Sequence, residues 1–188
     1  MTHIIAVTNQ KGGVGKTTTA ISLSACLADC GKRTLLVDLD PQGNATSGLG
    51  IDKTSLTKNV YDCLIEQTPM TEVVQKTMIK KLAVVPATMD VAGAAVELVS
   101  IDKREHVLKN VLYDYLQTVK KPYDYVIIDC PPSLGLLTIN ALVAAGMGII
   151  NSNRFTVARS FAKPDMWLPF IPIQNSRGGF SKKKPWKR

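Results

Sequence analysis

A glycine-rich loop between a short apolar strand and an amphipathic helix constrains this sequence more than any other feature. The β-branched run His3–Thr8 precedes the loop, and Lys16–Cys30 follows it with apolar side chains at helical spacing. Glycines let successive backbone N–H groups converge on one anion, and the helix N-terminus adds a partial positive charge there. The segment from Asn9 to Thr19 therefore predicts a phosphate-binding loop.

Lys16 and Thr17 occupy the positions at which such loops bind phosphate and metal. A lysine there reaches the β- and γ-phosphates of a nucleotide, and the adjacent hydroxyl ligates Mg²⁺. The usual spacing has glycine where this chain has Gln10, and this loop carries Lys11 instead, which would repel the second lysine unless both meet phosphate. We expect ATP and Mg²⁺ as cofactors. The predicted nucleotide-binding residues are Lys11, Gly12, Gly13, Val14, Gly15, Lys16, Thr17 and Thr18.

Strands and helices alternate along the first 145 residues. Arg33–Leu39 and Tyr123–Asp129 are almost entirely apolar before an acidic end, and Lys81–Ala87 is a further apolar strand. Such strands, joined by helices, are typical of a parallel sheet that is covered on both faces. The sequence therefore predicts an α/β fold. We expect a P-loop NTPase-like three-layer sandwich with a mostly parallel sheet, incomplete at the C-terminus.

The connecting segments are assigned from their composition and periodicity. Pro41–Gly50 is rich in small polar residues and is interpreted as a loop, whereas Asp52–Lys80 is predicted to be mostly helical with a break near Pro69. Further helices are predicted at Asp90–Ser100, Arg104–Thr118 and Leu136–Ala145.

Three aspartates are expected at one edge of this sheet. Asp38 and Asp129 end apolar strands, and the carboxyl ends of parallel strands are where ligands bind in open α/β folds. An acid near the γ-phosphate can organise Mg²⁺ through water or orient the attacking water, and Asp40 lies next along the same edge. We expect Thr17, Asp38 and Asp129 to hold the metal. The alternative is that each aspartate only ends a strand or starts a turn.

Three blocks of this sequence resemble the ParA/Soj family of chromosome- and plasmid-partitioning ATPases, within the MinD/ParA class. They are Lys11–Thr18, Leu35–Gly50 and Val126–Leu142, in this order, and the resemblance covers about residues 1–145. It implies an ATP hydrolase that works slowly with Mg²⁺, forms a homodimer on binding ATP and binds DNA without sequence preference. It also implies stimulation by a ParB-like protein and a cytoplasmic location, associated with the nucleoid where DNA is bound.

The resemblance assigns roles to individual residues. Lys11 would be the signature lysine of a deviant Walker A loop, reaching the phosphates bound by the other subunit, and Gly12 would lie where the two subunits approach closely. Asp40 would position the hydrolytic water, so that Lys11, Lys16 and Asp40 are the implied catalytic residues. Asp129 would be the Walker B acid, with the switch at Pro131–Gly135 after it.

The last part of the chain differs in composition. Residues 1–145 contain 14 Lys and Arg against 14 Asp and Glu, whereas residues 146–188 contain 9 basic residues and only Asp165. The whole net charge of +8 therefore lies in residues 146–188. We predict a P-loop ATPase domain at 1–145 and a divergent, irregular basic tail at 146–188. The adenine-contacting loop and DNA-binding residues of the family are not matched there.

Other interpretations remain open at the level of sequence. The chain could be a truncated, non-enzymatic P-loop fragment. A MinD-like regulator at the membrane would need a C-terminal amphipathic helix, but Pro169, Pro172 and Pro185 interrupt the tail, and we expect no membrane contact. An iron–sulfur protein of the nitrogenase reductase type is supported by Cys130 alone.

Overall fold

The computed structural model describes residues 2–151 and 156–160. Within these residues the chain forms a seven-stranded sheet with the strand order β3-β4-β2-β5-β1-β6-β7. The strands are β1 (His3–Thr8), β2 (Thr34–Asp38), β3 (Gln75–Lys76), β4 (Leu82–Val85), β5 (Tyr125–Asp129), β6 (Met147–Asn151) and β7 (Thr156–Ser160).

The central strands of the sheet are parallel. β2 pairs with β4 and β5, and β1 pairs with β5 and β6, all in parallel register. The edge strands β3 and β7 pair antiparallel with β4 and β6. The predicted mostly parallel α/β sandwich is confirmed, and the carboxyl ends of β1, β2 and β5 lie side by side at one edge.

Helices cover both faces of this sheet. The helices are α1 (Lys16–Asp29), α2 (Asn44–Gly48), α3 (Val60–Leu64), α4 (Met70–Val73), α5 (Val91–Glu97), α6 (Val107–Thr118) and α7 (Leu136–Ala144). Short 3-10 helices occupy Lys53–Ser55, Leu98–Ser100 and Arg104–His106. None of the helices in the described residues is long and apolar enough to cross a membrane.

Alternating side chains of the strands supply two apolar cores. Leu35 and Val37 of β2 pack with α3 to α7 on one face, whereas Leu36 packs with α1 and α2 on the other. Successive side chains of a strand point to opposite faces, so a strand with both faces covered is apolar throughout, as β2 is. Every residue of β2 is buried.

Two of the predicted connections are wrong. Pro41–Gly50 contains the short helix α2 (Asn44–Gly48) and is not only a loop. Asp52–Lys80 is not mostly helical, because it contains only two short α-helices and one 3-10 turn, and ends in the edge strand Gln75–Lys76.

The predicted irregular tail is also wrong for the residues described beyond 145. Met147–Asn151 and Thr156–Ser160 are strands, and the first of them extends the sheet by pairing with β1. Backbone pairing with β1 supplies the hydrogen bonds of this segment, and its local sequence pattern does not reveal that partner. The remaining tail residues of the prediction lie outside the described residues.

Candidate nucleotide-binding site

The glycine-rich loop lies at the carboxyl edge of the sheet, between β1 and α1. Gly13 and Gly15 have φ values of 68° and 83°, which side chains other than glycine rarely adopt. Gly15 is the N-cap of α1, and this helix has neither a side-chain cap nor an acid in its first turn. The first N–H groups of α1 therefore point towards the loop and favour an anion at this position.

The Lys16 side chain is enclosed by the loop. Its exposed fraction is 6%, and its ammonium group donates a hydrogen bond to the carbonyl oxygen of Lys11 at 3.2 Å. The N–H of Lys11 donates to the Asn9 side chain at 3.0 Å, while the Lys11 side chain itself is exposed. The loop is therefore preformed around Lys16, and it presents Lys11 to the outside.

Nothing within the described part of the chain requires glycine at position 12. A Cβ added to Gly12 would meet no atom within 4 Å, and its φ is not in the left-handed region. By contrast, a Cβ at Gly43 would lie 2.5 Å from the carbonyl oxygen of Ala87. No atom of the described residues therefore covers the surface above Gly12.

Asp129 is a buried carboxylate without a hydrogen-bond donor among the described residues. It lies at the end of β5, in register with Val7 of β1 on one side and Asp38 of β2 on the other. It is fully buried, and neither of its oxygens accepts a hydrogen bond from the described residues. The Thr17 hydroxyl lies near this carboxylate but not in hydrogen-bonding geometry, so a cation bound there would meet free ligand oxygens.

The environment of Asp129 favours its neutral form when no cation is bound. Burial raises the pKa of this carboxyl to about 7, and the nearby Thr17 hydroxyl opposes the rise. The charges of Asp38 and Asp40 raise the pKa further, whereas the Lys16 ammonium lowers it. The acid therefore lies close to the loop lysine and to the predicted metal-binding hydroxyl.

Asp38 differs from Asp129 because its oxygens already have partners. One oxygen accepts from the N–H of Asp40 at 3.1 Å, and the other accepts from the N–H and the hydroxyl of Thr46 at 2.9 and 2.8 Å. Burial raises the pKa of Asp38 to about 6, although these hydrogen bonds oppose the rise. In this state Asp38 holds the polypeptide that follows β2.

Asp40 lies at the start of a tight turn at the same edge. It is 8% exposed, and its carboxylate accepts the N–H of Gln42 at 2.9 Å. Its carbonyl oxygen accepts the N–H of Gly43 at 2.8 Å. The structure therefore brings the loop, Asp38, Asp40 and Asp129 together at one edge of the sheet.

Sequence reasoning missed two buried polar residues that connect this edge to the helices. Thr46 donates to Asp38, and its hydroxyl also accepts the N–H of Ala87 at 2.9 Å. Asn140 accepts the N–H of Leu108 at 3.1 Å and donates to the carbonyl oxygens of Arg104 and Leu136. Both residues lie inside blocks that carry the family resemblance. Their position in these blocks is the sequence signal that could have identified them.

The residues of this edge fit a magnesium nucleotide. The buried, unpaired oxygens of Asp129 and the nearby hydroxyl of Thr17 match the preference of Mg²⁺ for oxygen ligands. In such sites Mg²⁺ is held by one or two carboxylates together with phosphate oxygens and water. The open first turn of α1 and the enclosed Lys16 fit the phosphates.

Cys130 does not support an iron–sulfur site. Its side chain is fully buried in the core under α7, and burial raises the pKa of the thiol well above its usual range. A cluster that bridges two subunits needs thiolates at the surface.

A strand, a glycine-rich loop and a helix, with an acid on the neighbouring parallel strand, define a P-loop nucleotide-binding protein. The chain belongs to the family described as AAA domain, which matches residues 2–160. The match extends past the boundary that we predicted at residue 145.

Relatives named Soj and ParA test the predicted resemblance to the ParA/Soj family. The chain is similar to sporulation initiation inhibitor protein Soj of Bacillus subtilis (strain 168), with 57% identity over 150 residues, which are 80% of this chain and 58% of Soj. It is similar to chromosome partitioning protein ParA of Myxococcus xanthus (strain DK1622), with 56% identity over 148 residues, which are 79% of this chain and 51% of that ParA. The predicted resemblance is therefore confirmed.

A solved structure shares the fold. Cobyrinic acid a,c-diamide synthase from Mycobacterium smegmatis, with bound ADP and magnesium, has a TM-score of 0.76 and 43% identity, over 81% of this chain and 60% of that chain. Nucleotide and magnesium binding therefore occur among the structural neighbours. The chain spans between 51% and 60% of the length of these three proteins.

Proposed function

We propose that this chain binds Mg-ATP, dimerises on binding it and hydrolyses it slowly, as an ATPase of chromosome or plasmid partitioning. The observation that carries the proposal is the buried Asp129, whose oxygens have no partner among the described residues although Lys16 and the preformed loop lie beside it. A buried carboxylate in this state is expected to bind a cation. The identity of 57% to Soj and 56% to ParA supports the proposed role in partitioning.

Each residue of the site has a proposed part in this activity. Magnesium, when bound with the nucleotide, would neutralise the phosphates, and Thr17 and Asp129 would hold it on the protein side. Lys16 would leave the carbonyl oxygen of Lys11 and bind the phosphates. Asp40 would orient the attacking water, and Asp38 would fix the backbone of Asp40 through the hydrogen bond that it accepts from that residue.

The open surface at Gly12 supports the proposal that a second subunit binds there. The loop exposes Lys11, and no atom of the described residues occupies the space beside Gly12. A second copy that approaches this surface could bring its own Lys11 to the phosphates, as the resemblance implies. Stimulation by a ParB-like protein and DNA binding without sequence preference are proposed on the resemblance alone, together with a cytoplasmic or nucleoid location.

The enzymatic proposal is tested by measuring steady-state ATP turnover of the chain with and without Mg²⁺. We expect slow turnover that Lys16→Ala abolishes, because this variant removes the charge that binds the transferred phosphoryl group. Lys109→Ala, an exposed lysine on α6, is the matched control and should retain turnover. Equal rates for the native chain and Lys16→Ala would show instead that the chain is a non-enzymatic fragment.

Dimerisation is tested separately by light scattering in the presence of a non-hydrolysable ATP analogue. The native chain should shift to a dimer, whereas Lys11→Ala should bind the nucleotide and remain monomeric. Lys32→Ala removes an exposed lysine after α1 and should dimerise normally. Retardation of arbitrary duplex DNA at low and high salt tests the partitioning role, because phosphate contacts weaken as salt rises.

A further inference from the structure

A second cleft opens at the amino edge of the sheet, opposite the nucleotide edge. It lies where β2, β4 and β5 begin, between the turn that joins β3 to β4 and the C-terminal end of α6. Its volume is about 520 Å³, which is within the range of about 300–1,000 Å³ for small-molecule sites. No residue of the predicted nucleotide site is among the described residues that line this cleft.

The floor of the cleft is mainly apolar. Tyr115 of α6 and Tyr123, just before β5, are each 7% exposed, and their hydroxyl groups form a hydrogen bond of 3.1 Å with each other. Burial raises the pKa of Tyr115, so its hydroxyl stays neutral. The other apolar residues that line the cleft are Val74, Ile79, Leu82, Ala83 and Val119. Such a floor favours the apolar part of a ligand.

The charged residues that line this cleft within the described part of the chain are all basic. They are Arg33, Lys76, Lys80 and Lys81. Asp124 accepts the N–H of Arg33 at 2.7 Å but does not line the cleft. Asp29 lines a separate, smaller hollow beside Lys80 and Lys81. The cleft therefore has a positive potential that favours an anion.

Two of these four cations already have partners. The Arg33 guanidinium lies 4.9 Å from the ring centroid of Tyr123 and donates to the carbonyl oxygens of the two residues before this tyrosine. The Lys81 ammonium donates to the carbonyl oxygen of Gly31 at 2.7 Å. Both side chains are thus fixed beside the cleft by the backbone around it.

Lys76 and Lys80 are the cations that remain available. Both are exposed, and neither side chain forms an ion pair or a hydrogen bond with the described residues. A phosphate monoester carries a charge of about −1.5 to −2 near neutral pH. Two ammonium groups therefore balance the charge of one phosphate group.

The turn that carries Lys80 is preformed. The Thr77 hydroxyl accepts the N–H of Ile79 at 3.1 Å and donates to the carbonyl oxygen of Leu82 at 3.0 Å. Lys81, in the same turn, has a φ of 70°, which residues other than glycine rarely adopt. Strained residues in well-bonded turns occur frequently at binding sites. A ligand that binds here pays little for ordering the turn.

We propose that this cleft binds a small phosphate monoester with an apolar body. Lys76 and Lys80 hold the phosphate at the rim, and the apolar part lies on the floor formed by Tyr115, Tyr123 and their neighbours. The enclosed apolar floor favours a small molecule over a nucleic-acid backbone, which presents phosphates without an apolar group beside them. The proposal does not depend on ATP binding at the other edge of the sheet.

The test measures binding of 1-naphthyl phosphate to the full chain by isothermal titration calorimetry. Inorganic phosphate, which lacks the apolar body, and 1-naphthol, which lacks the charge, are the ligand controls, and both should bind more weakly. Because the glycine-rich loop also favours phosphate, the titration is repeated with Lys16→Ala. We expect the same affinity for 1-naphthyl phosphate in this variant.

The site is located by two double variants with the same change in net charge. Lys76→Glu combined with Lys80→Glu should weaken the binding of 1-naphthyl phosphate by about tenfold or more, because two attractive contacts become repulsive. Lys103→Glu combined with Lys109→Glu changes two exposed lysines that do not line the cleft, and it should leave the affinity nearly unchanged. Far-UV circular dichroism checks that both variants fold.

Several results would overturn the proposal. Equal affinity in the native chain and the cleft variant would exclude the two lysines, and equal weakening by both double variants would show that net charge alone holds the phosphate. Loss of binding in Lys16→Ala would place the ligand at the glycine-rich loop. Equal affinity for 1-naphthyl phosphate and inorganic phosphate would exclude the apolar floor. A cleft variant that keeps 1-naphthyl phosphate but no longer retards duplex DNA would show that these lysines contact nucleic acid instead.

Discussion

Replacing Asp129 with asparagine should stabilise the nucleotide-free protein at high pH. The variant keeps the shape of the side chain and removes a charge that is fully buried and has no hydrogen-bond donor among the described residues. Burial raises the pKa of this carboxyl from 3.8 to about 7. At 1.36 kcal/mol per pKa unit, ionisation of this buried carboxyl lowers the free energy of unfolding by about 4 kcal/mol.

The sign of the effect depends on which state, folded or unfolded, keeps the proton to the higher pH. Because the folded pKa is the higher one, the stability contributed by the proton is complete below the unfolded value of 3.8 and is lost as the pH rises through about 7. Between about pH 5 and about pH 8, Asp129 alone should lower the unfolding free energy by roughly 3 kcal/mol. Asp38, with a pKa raised to about 6, acts in the same direction.

Urea unfolding without nucleotide, at about pH 5 and about pH 8, measures this difference. We expect Asp129→Asn to unfold at higher urea than the native chain at the upper pH and to depend less on pH. An asparagine without partners still costs about 1–3 kcal/mol, so the net gain is expected to be about 1–3 kcal/mol. Asp114→Asn removes an exposed acid and should change little.

Magnesium and ATP provide the complementary measurement. They should stabilise the native chain more than Asp129→Asn, because a ligand that binds only the folded state raises its stability and the variant lacks the carboxylate that we propose as a metal ligand. If Asp129→Asn is no more stable than the native chain at about pH 8, the carboxylate is not an unpaired buried charge and the reasoning is refuted.

Three further predictions concern residues around this edge. Thr46→Val should lower the unfolding free energy by about 1–3 kcal/mol and slow ATP turnover, since it leaves the buried N–H of Ala87 without a partner and removes one of the two donors to an oxygen of Asp38; urea unfolding and a turnover assay measure both. Gly43→Ala should destabilise the chain by at least about 1 kcal/mol, because its Cβ would lie 2.5 Å from a backbone oxygen. Gly12→Ala, with no atom within 4 Å of the added Cβ, should unfold like the native chain and fail only to dimerise with ATP. Equal stability losses in the two glycine variants would contradict this distinction.

The parts of the fold that the sequence predicts are those with strong local signals. β1, the loop and α1 form a continuous pattern, and the predicted strand Tyr123–Asp129 is observed as Tyr125–Asp129. A parallel strand with both faces covered is apolar throughout, so it is recognisable without knowledge of its partners. The acids at the ends of β2 and β5 could therefore be placed at one edge of the sheet from the sequence pattern alone.

The missed elements depend on distant partners. The first turn of α2 is capped by Asp38 of β2, which accepts the N–H of Thr46 at 2.9 Å, so no local capping pattern marks this helix. The edge strand β3 is only two residues long and exists because Gln75 and Lys76 pair with β4. In both cases the stabilising group lies far away in sequence, which pattern analysis does not detect.

Asp38 and Asp129 occupy equivalent positions and yet differ chemically because of the residues that follow them. Both are fully buried ends of parallel strands, and they are neighbours in register. After Asp38 the chain turns back through α2, and Thr46 supplies two donors to one of its oxygens. After Asp129, the N–H of Cys130 is donated to the carbonyl oxygen of Val7, and the prolines that follow have no N–H to donate.

The chain therefore supplies hydrogen-bond donors to Asp38 and leaves Asp129 without donors among the described residues. Asp38 shapes the turn that contains Asp40, and this role needs no contact with a metal. The unsatisfied acid costs free energy when it is ionised, and a bound cation would offset this cost. Because burial and the neighbouring acids raise the pKa of Asp129 to about 7, metal binding near neutral pH should displace a proton from it. The same desolvation that destabilises the empty site thus makes Asp129, and not Asp38, the direct protein ligand that we propose for magnesium.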